Sequence, residues 1–365
     1  NIYGGGYGNI KIHLTGNEDE TGRFGPAARN GILRRAFDFS LPTDAATVLW
    51  NGYARRNING YIPEFTAQDK QYPEKYKGTD AINVGELKTL THIGSENRKP
   101  KDDDVTQWVG VNAIGTLKGD VDNLGSIFQQ GLGKPTFAKM AALSRQMNNF
   151  FSIYLPSLCQ KEFSNTYTVF AGGDDFFLIG PWRSQIALAN RLHKEFAIYC
   201  ANNPNLHFSA GISITKPGSP IGYLAKNGES ALEMAKKNDD KNHGSKNALS
   251  VFGQTIPWAK ADALLQACNT LENLADEYKL STAYIYSLLQ MIPMVEDTSK
   301  PENSLWRSQL TYRTWRMLQQ KSKGKDRERL LIDHQKLVKT LGEQGLQQWQ
   351  GAYRIAIQTY LYQNR

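Results

Sequence analysis

TVFAGGDDFFLIGPW, residues 168–182, sets two glycines and two adjacent aspartates between two apolar runs. Runs of β-branched, aromatic and aliphatic residues flank Gly172, Gly173, Asp174 and Asp175, which predicts two buried strands joined by a tight hairpin. Glycines before the aspartates permit positive φ and carry no Cβ, so the backbone can turn sharply and lie close to a ligand. Asp174 and Asp175 are expected at the tip. Upstream, WVGVNAIGTLKGDVD reads as a strand and the stretch from about Phe137 to Glu162 as a long amphipathic helix leading into the hairpin. Downstream come a helix RSQIALANRLHKEFAIYCA, a strand LHFSAGISI, a helix IGYLAKNGESALEMAKKN and a strand ALSVF. The order is β-α-β-β-α-β with one further α and β, an α+β split βαβ arrangement in which helices are expected to cover one face of an antiparallel sheet.

The flanking regions differ in character. Residues 1–105 are rich in Gly, Asn, Asp and Pro, with short β-like pieces at NIKIHL and ATVLW and a polar connector, SENRKPKDDD, whose Asp102 to Asp104 read as solvated. Residues 106–255 hold the regular α+β pattern, and 256–365 read as helical throughout. The chain has 365 residues, 40% of them hydrophobic, enough for two or three domains with their own cores. It starts without methionine, in what reads as the middle of a strand pair, so a longer protein is expected. A formal charge of +8 favours a polyanionic partner, nucleic acid first. Cys159, Cys200 and Cys268 are far apart, which points away from a zinc site or a disulfide framework and toward a reducing cytoplasm. No apolar run approaches a bilayer span, and no membrane association is expected.

In a βαββ order the strand beside the hairpin is the one ending LKGDVDNLG, which brings Asp120 and Asp122 to the same sheet end as Asp174 and Asp175. Four crowded carboxylates call for cations, and hard oxygen ligands with room for water and phosphate suit Mg²⁺ or Mn²⁺. Such a pair of ions at a sheet end serves in-line displacement at phosphorus. Lys236 at a helix end and Lys246 before the last strand are placed to meet triphosphate oxygens. Against this, Gly-Gly-Asp-Asp is ordinary turn chemistry, Asp122 is equally suited to capping the next helix or turn, and Lys236 to a solvated helix face. The buried flanks and the second acidic strand end favour the metal site. The six histidines show no His-Asp dipeptide and no H-E-x-x-H, which excludes the commonest zinc-hydrolase and histidine-aspartate patterns. In YRTWRMLQQKSKGKDRERLL, Arg313, Arg316, Lys321, Lys323 and Lys325 alternate with Tyr312 and Trp315, a composition suited to RNA and equally to a charged helical corner. Arg55 and Arg56 in NGYARRNINGYIP admit the same two readings.

GTLKGDVDNLGSIFQQGL, LSRQMNNFFSIYL, YTVFAGGDDFFLIGPW, FSAGISI and AKKNDDKNHGSKNALSVFG together resemble the second palm of the polymerase-cyclase large subunit of type III CRISPR-Cas effector complexes, the A-type most closely. Residues 256–365 resemble that family's final domain more loosely, and NGYARRNINGYIP its connector into the palm. The resemblance implies a ferredoxin-like palm of nucleotidyl cyclase type, an all-α C-terminal domain, and the end of a first palm within 1–105. It implies synthesis of cyclic oligoadenylates from ATP, gated by target RNA bound to a guide RNA within a complex of other type III subunits. Asp120, Asp174 and Asp175 match the family's metal-binding aspartates, Gly172 and Gly173 its triphosphate-facing turn, and Lys236 and Lys246 its phosphate-binding lysines. Ser209 and Gly211 match a Ser-x-Gly strand read as packing. The chain departs from the family in lacking a histidine-aspartate nuclease motif, a cysteine cluster and a complete first palm. Two alternatives remain: an inert RNA-binding scaffold, which crowded carboxylates disfavour, and a diguanylate cyclase, which aspartate in place of glutamate and the appended helices disfavour.

Overall fold

The computed structural model describes residues 61–76, 82–101, 104–240, 244–321 and 327–365, and before them four two-residue strands. Those strands belong to a first compact unit, Asn1–Ile58, in which Ile2–Tyr3 pairs antiparallel with Lys11–Ile12, and Phe37–Asp38 pairs parallel with Ala54–Arg55. The β-like piece ATVLW, Arg56, and most of the expected first-palm remnant lie outside the described residues.

Asn59–Arg365 form the second compact unit. Its centre is a six-stranded sheet built from β1 (Ile114–Val121), β2 (Tyr167–Gly172), β3 (Asp175–Pro181), β4 (Phe208–Thr215), β5 (Ala248–Val251) and β6 (Gln254–Pro257), in the order β6-β5-β4-β1-β3-β2. β4, β1, β3 and β2 pair antiparallel in the 4-1-3-2 order of a ferredoxin-like fold, while β5 joins β4 in parallel. The expected strand WVGVNAIGTLKGDVD is divided: Asp104–Val109 pairs with Lys99–Lys101 in a separate ribbon, and the chain breaks at Gly110, whose φ is +109. The strand β6 was not anticipated; Phe252 and Gly253 at φ 52 and 71 form the tight reversal that folds it back on β5.

Two helical runs cover one face. The first begins as α1 (Phe137–Asn149), capped by Thr136 Oγ1 accepting from the Lys139 N–H, and continues through a wider turn at Phe150–Tyr154 into Leu155–Glu162. The second is α2 (Trp182–Tyr199). They bury Phe150, Phe151, Leu188 and Phe196 against Leu117, Val121, Phe176 and Phe208 of the sheet. The expectation that helices cover only one face does not hold. Helix α3 (Ile221–Lys236) packs on the other, where Leu224 joins Ile114, Phe177 and Ile179 in a second small core. The cause is visible in β1 and β3, which are buried almost without alternation and so need partners on both sides. Close approach of α3 depends on Gly211, where an added Cβ would fall 2.1 Å from the Leu232 nitrogen.

The C-terminal region is helical: α4 (Trp258–Glu277), α5 (Thr282–Glu296), α6 (Trp306–Lys321), α7 (Arg327–Leu337) and α8 (Tyr353–Gln363). Leu271, Ile285, Leu288, Leu310, Leu341 and Ile357 form its core. Helix α4 serves both cores, giving Trp258, Ala261 and Leu264 to the sheet side and Cys268, Leu271 and Leu274 to the helical side. All three cysteines are free thiols.

Candidate functional site

The hairpin between β2 and β3 turns at Gly173, which holds φ at +68, a left-handed value that favours glycine. Register then assembles the site: Asp175 lies opposite Gly172 on one side and opposite Asp120 of β1 on the other, and Asp120 lies opposite Ser209 of β4. The Val121 N–H donates to the Asp174 carbonyl oxygen (3.0 Å), stitching the tip of the turn to the end of β1. Asp120, Asp174 and Asp175 are therefore brought together, as the βαββ order requires.

Burial pushes the Asp175 carboxyl up from the ordinary range, with the charges of Asp174 and Asp120 adding to it and Lys118 opposing. Burial likewise raises Asp120; Lys236 opposes, and Asp174 and Asp122 push the same way as burial. The Lys236 ammonium sits 2.8 Å from Asp120 Oδ2, reaching it from the last turn of α3. Burial disfavours that ammonium, but Asp120, Glu233 and Glu229 outweigh it and hold Lys236 above its ordinary value. Burial first, and the neighbouring carboxylates second, thus disfavour charge on Asp120 and Asp175, and the site already draws one cation, Lys236, to itself. With the side chains as they stand, no three His, Cys, Asp or Glu among the described residues are arranged around a metal position.

Asp122 is set apart from the other three. Its side chain is fully buried, and its oxygens accept from Ser209 Oγ (2.9 Å), His207 Nδ1 (2.8 Å) and the Asn247 N–H (3.1 Å). Ser209, read from the sequence as packing, is one of these donors. Lys246 Nζ donates to Asn123 Oδ1 (2.7 Å), which places it just past the end of β1. Gly172 and Gly173 face Asn148 of α1, whose Oδ1 accepts from the Gly173 N–H (3.0 Å). Asn148 and His207 were not singled out in the sequence. Asn148 lies in the quoted LSRQMNNFFSIYL but carries no motif of its own, and its contact spans 25 residues.

The basic C-terminal residues divide. Arg313 is exposed, and the Arg316 guanidinium lies 5.8 Å from the Tyr312 ring centre. Lys321 Nζ donates to the carbonyls of Tyr278 (3.0 Å) and Lys279 at the end of α4, and so caps that helix. Trp315 packs edge-on against His334. Lys323 and Lys325 lie outside the described residues.

A ferredoxin-like palm with acidic residues at a Gly-Gly turn and at the end of the adjacent strand defines the class of palm-domain proteins. Residues 113–245 match the family model of the second palm domain of Cas10/Cmr2. The chain is 35% identical over 167 residues to a Cas10/Csm1 protein of subtype III-A from Methanocaldococcus jannaschii, named a CRISPR system single-strand-specific deoxyribonuclease, covering 41% of this chain and 21% of that protein. It is 28% identical over 205 residues to the protein of the same name from Streptococcus thermophilus, covering 53% of this chain and 26% of that one. The match thus spans about a quarter or less of these relatives' length. Among solved structures, Csm1 of T. onnurineus shares the fold with a TM-score of 0.56 at 17% identity, covering 88% of this chain and 44% of that one. A Csm1–Csm4 cassette in complex with pppApApA gives a TM-score of 0.55 at 18% identity, covering 86% and 41%. Among the described residues, no helix is long and apolar enough to cross a membrane.

Proposed function

We propose that the palm is a metal-dependent nucleotidyltransferase that joins ATP into cyclic oligoadenylates within a target-RNA-activated type III CRISPR effector complex. The observation that carries this reading is the register of Asp120 opposite Asp175 with Asp174 beside them and Lys236 held on Asp120. Structural neighbours bound to ATP, pppApApA, cA3 and cA4 support the substrate class. In the reaction the 3′ hydroxyl of one ATP attacks the α-phosphorus of another; a 3′-5′ P–O bond forms, the bond to the β-phosphate breaks, pyrophosphate leaves, and the hydroxyl proton passes to water.

The residues fit divalent cations. Asp120, Asp174 and Asp175 offer hard oxygens, and in Asp120 and Asp175 burial, with the neighbouring carboxylates adding to it, disfavours the charged form in a way that a bound cation would offset. When bound, Mg²⁺ or Mn²⁺ stabilises charge on the attacking and leaving oxygens. Gly172 and Gly173 leave the turn open to a triphosphate, since nothing lies within 4 Å of a Cβ at Gly173. Lys236 and Lys246 supply ammonium groups for the phosphates. Guide RNA, target RNA and other type III subunits complete the assembly, with Arg313 and Arg316 as a candidate RNA contact.

The test is the chain assembled with guide RNA and partner subunits, given ATP or GTP, Mg²⁺ and complementary target RNA, with products resolved by mass. Oligoadenylates are expected from ATP only with target RNA, and none from Asp174→Ala/Asp175→Ala. A complex that binds target RNA yet yields nothing from either nucleotide identifies a scaffold, and a cyclic dinucleotide from GTP without RNA identifies a diguanylate cyclase.

A further inference from the structure

Three residues near the end of β1 hold left-handed backbone: Asn123 at φ 55, Lys246 at φ 59 and Asn247 at φ 44. None is glycine, so the surrounding structure must hold them there. Lys246 is clamped through its backbone, its N–H donating to the Asn238 carbonyl (2.8 Å) while its own carbonyl accepts from Asn238 Nδ2 (2.8 Å). The next peptide is clamped by Asp122, whose Oδ2 accepts the Asn247 N–H (3.1 Å). Asp122 is itself fixed by Ser209 Oγ of β4 and by His207 just before that strand, through His207 Nδ1 and through its own N–H donating to the His207 carbonyl (2.9 Å). The two Asp122 oxygens together meet a hydroxyl, a ring nitrogen and a backbone N–H; an amide in its place has one acceptor oxygen and turns a donor toward one of them.

We infer that Asp122 is a positioning residue for Lys246, holding the loop that presents this ammonium to the nucleotide phosphates, and stands outside the set of carboxylates that take the metal. The inference rests on the reading of the site as a nucleotidyl-transfer centre. It divides the acidic pair of GDVDN into two tasks. Asp120 points to the α3 side, where it meets Lys236 and its side chain is still 27% exposed, whereas the Asp122 side chain is 0% exposed. A group whose oxygens are buried and met by three donors has little left for a cation; its value lies in the geometry it fixes.

The test uses the full chain: Mn²⁺ binding followed by electron paramagnetic resonance, and ATP binding by calorimetry, for the wild type, Asp120→Asn, Asp122→Asn, Lys246→Met and Asp122→Asn/Lys246→Met. Asp120→Asn is expected to lose Mn²⁺ and Asp122→Asn to keep it. Asp122→Asn and Lys246→Met should each weaken ATP roughly tenfold, the worth of one charge-assisted hydrogen bond. The double variant should be no weaker than either single one, because both remove the same contact. Loss of Mn²⁺ in Asp122→Asn to the extent seen in Asp120→Asn overturns the inference, as do losses that multiply in the double variant. Retention of Mn²⁺ in Asp120→Asn instead overturns the reading of the site, and the ATP comparison still decides the role of Asp122. If melting curves show Asp122→Asn unfolded, Ser209→Ala, which removes one donor and leaves the carboxylate, takes its place: Mn²⁺ binding intact with weaker ATP is expected, and unchanged ATP affinity overturns the inference.

Discussion

Gly211→Ala tests how the fold holds the site. The added Cβ would lie 2.1 Å from the Leu232 nitrogen and 2.2 Å from the Ala231 carbonyl carbon. An ordinary contact of this kind is ~3.5 Å, so α3 must move off β4 by roughly 1 Å or more. Both sides of the clash are backbone, one a strand centre and the other a helix, so no rotamer change relieves it. Overpacking of a rigid contact costs about 3 kcal/mol, which for a unit of this size lowers the melting temperature by roughly 6 °C. The same shift carries Lys236 away from Asp120, where their contact is 2.8 Å. A displacement of about 1 Å at a reacting centre can cost 10²-fold in rate, so the oligoadenylate synthesis proposed for the palm should fall by about that factor. The assays are thermal melting and product formation, with Gly222→Ala in the same helix as control, since a Cβ there meets nothing within 4 Å. A Gly211→Ala protein that melts and turns over like Gly222→Ala would refute the argument.

Two further predictions concern one contact remote from the site and one that holds its turn. Asp69, in the segment before the sheet, accepts from Tyr76, from Thr66 and from the buried Lys88 ammonium (2.9 Å), which also meets Glu96 (2.6 Å) and Asn165 (2.7 Å). Burial alone would raise the Asp69 carboxyl, but these donors outweigh it and hold it at about 2. Because the folded value lies below the unfolded one, the stabilisation is complete above pH ~4 and fades as pH falls toward the folded value. Asp69→Asn should therefore cost about 2 kcal/mol in urea titrations at pH 7, with the gap to wild type closing by roughly pH 2; a gap independent of pH contradicts the assignment. Asn148→Ala removes the acceptor of the Gly173 N–H at an exposed position, so stability should change by no more than about 1 kcal/mol. Amide exchange at Gly173 should nevertheless quicken, and unaltered protection there would show that Asn148 does not order the turn.

The hairpin and its carboxylates were legible because their signals are local. Apolar flanks specify strands, Gly173 supplies the left-handed turn, and a βαββ order sets the strand that ends in Asp120 beside the one that begins at Asp175. Other features depended on residues far apart in the chain. The unbroken burial of FFLIG was a hint that α3 would cover the second face, but period-2 patterning reports how many faces are buried, not which helix buries them. Lys321 reads as an RNA-facing lysine until the end of α4, 42 residues away, supplies carbonyls for it to cap.

By itself, then, the sequence determined the strand-turn-strand, the class of palm and the meeting of Asp120 with Asp174 and Asp175, because each arises from local conformational preference and strand order. Only the tertiary structure separated Asp122 from Asp120, two residues apart and alike in chemistry. That separation is decided by donors 85 to 125 residues downstream, at His207, Ser209 and Asn247, which converge on one carboxylate and leave the other partly exposed and paired with Lys236. A side chain's solvation and hydrogen-bond partners are properties of the packed space around it, and chain order does not encode that space residue by residue.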